Sequence, residues 1–102
     1  MGSSNNWMKT GSVVGETSAT KKVILGFKPR SVQLENITGL VSAYKSDLMA
    51  GSSAVKRVTA GTMTFPANMI TLEDDGFTIG NDSDLMVDAE VIHYTAWEGK
   101  NE

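Results

Sequence analysis

The sequence predicts an all-β fold, a compact β-sandwich or jelly-roll-like domain with an extended N-terminal arm. Three observations predict it. Short segments rich in β-branched and aromatic residues recur at roughly 8–12 residue intervals, the rhythm of sandwiches and barrels. Turn signals separate them: Thr38-Gly39, Gly51-Ser52-Ser53, Ala60-Gly61, Asp75-Gly76 and Gly80-Asn81-Asp82-Ser83-Asp84. Two segments alternate strictly, Val32 and Leu34 against Ser31, Gln33 and Glu35, and Phe77 and Ile79 around Thr78. Alternation puts one set of side chains on each face of a strand. The chain has 102 residues, 40% hydrophobic and 21% charged, the composition of one ordinary globular domain.

Taken in order, residues 1–19 are rich in Gly, Ser, Thr and Asn, and only Trp7, Met8, Val13 and Val14 are large and apolar. Such a segment buries too little surface to offset its ordering entropy. It is read as an arm ordered by its own domain or by a neighbouring subunit, with Trp7 as anchor. Residues 20–102 form the single β domain. Lys21 to Phe27 is a strand, and Pro29 makes Lys28-Pro29-Arg30 a bend. Ser31 to Glu35 is a strand with one face buried. Residues 40–50 are open to two readings: Leu40, Tyr44 and Leu48 fall on a helical stripe, yet Leu40 to Tyr44 also reads as a strand. Ala54 to Thr59 is a weak strand, Thr62 to Phe65 a short one ended by Pro66, and Met69 to Leu72 another. Phe77 to Ile79, Leu85 to Val87 and Val91 to Trp97 complete the set. The last strand is apolar on both faces, with Val91, His93, Thr95 and Trp97 on one and Ile92, Tyr94 and Ala96 on the other. A half-exposed strand alternates apolar with polar, so this one is either central in a sandwich or covered by a second subunit.

Charge and residue types narrow the function. The net charge of −3 divides unevenly, +3 over residues 1–51 and −6 over residues 52–102. An acidic chain is a poor candidate for nucleic acid, whose phosphates demand basic patches; the asymmetry would suit contact between copies or with a larger partner. The absence of cysteine excludes disulfides and thiolate chemistry. A single histidine, His93, excludes a two-histidine metal site and makes a histidine triad hard to build. The opening residues have no apolar core of a secretory signal, and Val23-Ile24-Leu25-Gly26-Phe27 is far short of a membrane span.

No constellation favours catalysis. His93 sits in an apolar strand and reads as a packed or interface residue. Asn81, Asp82 and Asp84 have the flavour of a calcium loop, but EF-hand spacing is absent and turn chemistry is the better reading. The glycines fall singly at strand ends, with no phosphate-binding loop. Lys21, Lys22, Lys28 and Arg30 form a modest basic group, suited to an edge that deters pairing or to docking on an acidic surface. The expectation is therefore no catalytic residue, no metal and no cofactor.

Three stretches resemble one family. Gly26-Phe27-Lys28-Pro29-Arg30 followed by Ser31 to Asn36 resembles the opening of small tailed-phage virion proteins. Asp75-Gly76-Phe77-Thr78-Ile79-Gly80 resembles their later turn and strand, and Val91-Ile92-His93-Tyr94-Thr95-Ala96-Trp97 their closing strand. Order and spacing agree over residues 20–97; the sequence departs at Leu40 to Leu48, where the family has a more aromatic strand. The resemblance tilts residues 40–45 towards strand. It implies a non-catalytic capsid decoration (cement) protein, a homotrimer that binds the major capsid protein and stabilises the outer head shell. It also implies synthesis in the bacterial host cytoplasm, and no nucleic-acid or membrane partner. The alternative is a tail, baseplate or fibre module that binds a host-surface glycan. The residues expected at subunit or capsid contacts are Trp7, Met8, Lys28, Arg30, His93, Tyr94 and Trp97.

Overall fold

The computed structural model describes residues 8–98. Its strands are β1 (Met8–Val14), β2 (Lys21–Ile24), β3 (Ser31–Asn36), β4 (Val41–Ser46), β5 (Val55–Arg57), β6 (Met63–Thr64), β7 (Ile70–Glu73), β8 (Gly76–Ile79) and β9 (Val91–Trp97). All pairings are antiparallel. They build a large sheet in the order β1-β9-β3-β4-β5-β6 and a small one in the order β2-β8-β7. No helix occurs among the described residues, and the fold is all-β. The radius of gyration, 13.2 Å, is that of a compact chain of about 100 residues.

The period-two pattern sets which face is buried. In β3, Val32 and Leu34 are sealed from solvent, and Val41 and Ala43 of β4 and Ile92 and Ala96 of β9 share that inner face. The small sheet contributes Val23, Ile70, Phe77 and Ile79. The central strands of the two sheets touch where the Phe77 and Tyr94 rings meet edge to face, 5.5 Å apart at 75°, a favoured aromatic geometry. Two glycines permit close approach in the small sheet. A Cβ on Gly76 would strike the Val23 carbonyl, and one on Gly80 the Asn68 carbonyl.

The bend Gly26 to Arg30 passes the chain from the small sheet to the large one. Gly26 takes φ 89°, open to glycine at little cost. Arg30 N–H donates to the Trp97 carbonyl at 2.8 Å, and Asp47 N–H donates to the Arg30 carbonyl at 2.8 Å. The bend is thereby tied to both neighbours of β3.

Three expectations change, and one open reading is settled. Met8 to Val14, placed in the arm, is a strand paired with β9 along its whole length; β9 offers a full row of backbone partners, and Val13 packs against the core. Residues 40–50 resolve as strand β4. Leu40 and Leu48 are exposed, so their helical stripe buries nothing, while Val41, Ala43 and Lys45 turn inward. The strand read from Lys21 to Phe27 stops at Ile24, where Gly26 turns the chain. Leu85 to Val87 is no strand but a turn. The Asp82 carboxylate accepts from the N–H groups of Asp84 and Leu85 at 3.1 and 3.2 Å, curling the backbone so that Leu85 and Met86 both point into the core.

That plug carries a testable contrast. Leu85→Ala is expected to cost about 2–5 kcal/mol of unfolding free energy in chemical denaturation. Leu48→Ala, at a fully exposed position, is expected to stay within about 0.5 kcal/mol of the wild type.

Candidate functional site

β9 is an interior strand of the large sheet, between β1 and β3, and among the described residues only its inner face is covered. Its outer face meets solvent, with Val91 and His93 exposed and Thr95 and Trp97 half-buried. Residues directly opposite in register share a face. Met8, Trp97, Ser31 and Ser46 therefore line one end of this outer face, on four successive strands. The turn after Ser46 adds Leu48, the most exposed large apolar residue at 92%. Arg30 stands beside Ser31, its Nε donating to Asp47 Oδ2 at 3.2 Å. Lys28 lines a shallow cavity with Lys45, Asp47 and Met49 just below.

This end gathers four of the expected contact residues: Met8, Lys28, Arg30 and Trp97. His93 is on the same outer face, opposite Ser12 on one side and Glu35 on the other. Tyr94 is not on that face; it is half-buried and turned inward against Phe77. Trp7 lies outside the described residues. Sequence reasoning missed Leu48, which it placed on a possible helical stripe; the Asp47-Leu48 step after the Val41, Ala43, Lys45 alternation was the available signal.

Two inward-facing lysines, neither foreseen, hold the loops. Lys45 is 2% exposed. Its Nζ donates to the carbonyls of Met49 and Ser53 at 2.9 and 2.7 Å, stapling the turn that carries Leu48. Burial pushes its pKa below the ordinary 10.5. Lys56 occupies the turn that sequence alone left open to calcium. Its Nζ lies 3.0 Å from the Asp82 carboxylate and 2.6 Å from Asp84 Oδ2, so the cation between those carboxylates is an ammonium.

The far end of the sheet is also apolar at its tip. The β3–β4 turn exposes Ile37 and Leu40, and Leu40 takes φ 57°, a left-handed conformation that costs a non-glycine residue on the order of 1–3 kcal/mol. Asn36, wholly buried, anchors the turn. Its side-chain oxygen accepts from Thr38 and Gly39 N–H at 3.0 Å each, and its amide donates to the Leu85 carbonyl and Glu90 Oε1. An open groove runs from this turn along Val41 and Ser42 to Arg57, Val58 and Thr59.

Comparison with protein-family models, with curated proteins and with solved structures finds no match.

The Lys56 clamp has a pH signature. Burial disfavours its charge, but hydrogen bonds to Asp84 and Asp82 outweigh that and hold its pKa above 10.5. A raised folded pKa stabilises in full below pH 10.5, and the contribution is lost as pH climbs through the folded value. Lys56→Met is expected to lower stability by about 3 kcal/mol at neutral pH. In denaturation series across pH, the gap from wild type should hold up to pH 10.5 and narrow above it.

Proposed function

We propose that this chain is a non-catalytic structural protein of a tailed-phage virion. In this reading it is a decoration (cement) module that binds the major capsid protein on the outer head shell and stabilises it. The observation that carries the reading is the end of the large sheet that presents Trp97 and the Leu48 turn together with Lys28 and Arg30. Leu48 is 92% exposed, more apolar exposure than a solvated turn needs. Apolar anchors ringed by basic groups suit an interface with an acidic protein surface. The staple from Lys45 to Met49 and Ser53 fixes the Leu48 turn in advance, which lowers the entropy lost on docking.

The family resemblance supports the same reading. Its three stretches fall on the bend Gly26 to Arg30, on β8 and on β9. These are the crossover between sheets and the central strand of the small sheet, together with the strand that the large sheet closes around.

One observation favours the glycan-binding alternative. Tyr44 and Trp97 both present ring surface on the outer face, with β3 between them, and saccharides stack on such rings. Screening against host-surface glycans separates the two readings.

The direct test mixes the purified protein with undecorated heads. Stoichiometric binding is expected. L48D combined with K28E should reduce it at least tenfold while leaving the circular dichroism spectrum unchanged, because both sites are exposed. I37D, at an exposed apolar site on the far end, should bind like wild type. Absence of binding by the wild type, or equal loss in I37D, counts against the assignment.

A further inference from the structure

An open sheet edge is a template for another strand, and proteins blunt such edges with short length, proline or charge. Three of the four edges here are blunted. β6 is two residues long and runs towards Pro66. β7 is four residues long. β2 is also four, and carries Lys21 and Lys22, both in ion pairs. β1 differs. It pairs with β9 over seven residues on one side and with no described strand on the other. It holds no proline. Its one charge, Lys9, is turned under the sheet, where Nζ donates to the Leu25 carbonyl at 2.9 Å.

We propose that β1 pairs with the β1 strand of a second copy of this chain, antiparallel about a two-fold axis at Gly11. The inference does not depend on the virion reading. What singles out a second copy is the pattern of β1 itself, Met8-Lys9-Thr10-Gly11-Ser12-Val13-Val14. It is self-complementary about its centre. On the outer face Met8 meets the partner's Val14, and Thr10 meets the partner's Ser12. The exposed apolar ends, at 53% and 57%, cover each other, and hydroxyl meets hydroxyl between them. On the inner face Lys9 meets the partner's Val13, so no like charges oppose. Gly11 meets the partner's Gly11 on the axis.

Gly11 has a second role. The phenol end of Tyr94 lies where a Cβ would stand on it. The Tyr94 ring therefore covers β1 up to its free edge. In the pair, two such rings approach the axis from opposite sides, their hydroxyls about one strand spacing apart, ~5 Å. An isologous pairing of this kind is closed. It joins both large sheets into one, whose remaining edges are the two-residue β6 strands.

The test uses the full chain. Sedimentation equilibrium over a concentration series is expected to fit a dimer for wild type. M8E combined with V14E sets glutamate against glutamate twice across the axis, and should raise the dimer dissociation constant about tenfold or more. M8K combined with V14E sets lysine against glutamate instead, and should restore the wild-type constant. The two positions stand at opposite ends of β1, so this rescue cannot arise within one chain. T10C combined with S12C, in a chain without other cysteines, should give a disulfide-linked dimer on a denaturing gel after oxidation. A monomeric or trimeric wild type, equal behaviour of the two charge variants, or no cross-linked dimer each overturns the proposal. Head binding is scored with L48D and K28E, which lie outside β1, so failure of the pairing and failure of the virion reading are distinguishable.

Discussion

The edge-to-face contact of Phe77 with Tyr94 joins the two sheets, and much of the molecule follows from it. Phe77 belongs to the central strand of the small sheet and Tyr94 to a central strand of the large one. Flanking Phe77, Gly76 and Gly80 let the neighbouring backbone at Val23 and Asn68 approach where a Cβ would strike it. On the other side Tyr94 must extend past its own strand, and it does so over Gly11. A side chain at position 11 would push the ring back and open the sandwich along β1. Glycine is thus required in an edge strand where it otherwise weakens pairing.

The polar interior follows a second logic. Asn36, Lys45 and Lys56 are the buried polar or charged residues among those described, and each ties a loop rather than a strand. Asn36 fills its hydrogen-bonding capacity with two donors and two acceptors. Lys45 gathers two carbonyls, and Lys56 two carboxylates. A chain without disulfides holds its long connections this way. Long aliphatic stems bury against the core while the charged tip meets fixed partners.

Much of the fold was legible because alternation is a strong signal. Val32 with Leu34, and Phe77 with Ile79, marked their strands and their buried faces. The two-sided apolar pattern of Val91 to Trp97 marked a strand either central in the sandwich or covered by a second subunit, and β9 lies between β1 and β3. Three features were not legible, for physical reasons. β1 sends only Val13 against the core and carries glycine at its centre, so it reads as an arm. Leu85-Met86-Val87 has the composition of a strand, but Asp82 bends it by accepting two backbone hydrogen bonds. Lys45 and Lys56 occupy inward positions that their charge disguises. For the candidate site, alternation alone put His93 and Trp97 on one face and Tyr94 on the other. Only the three-dimensional register set Met8 and Arg30 beside Trp97 and brought the Leu48 turn to the same end of the sheet.

The position of β9 between β1 and β3 also governs how the chain can assemble. Its partners begin at Met8 and Ser31, so completing the large sheet closes loops of some sixty to ninety residues. Long loop closure slows folding. Until Val91 to Trp97 dock, β1 has no partner strand and β3 has one bare edge. On a ribosome the hairpin of β3 and β4 and the small sheet can form early. The large sheet must wait until residue 97 has left the exit tunnel, with its hydrophobic inner face uncovered in the interval. Crowded synthesis therefore makes that interval, rather than the finished fold, the stage most exposed to aggregation.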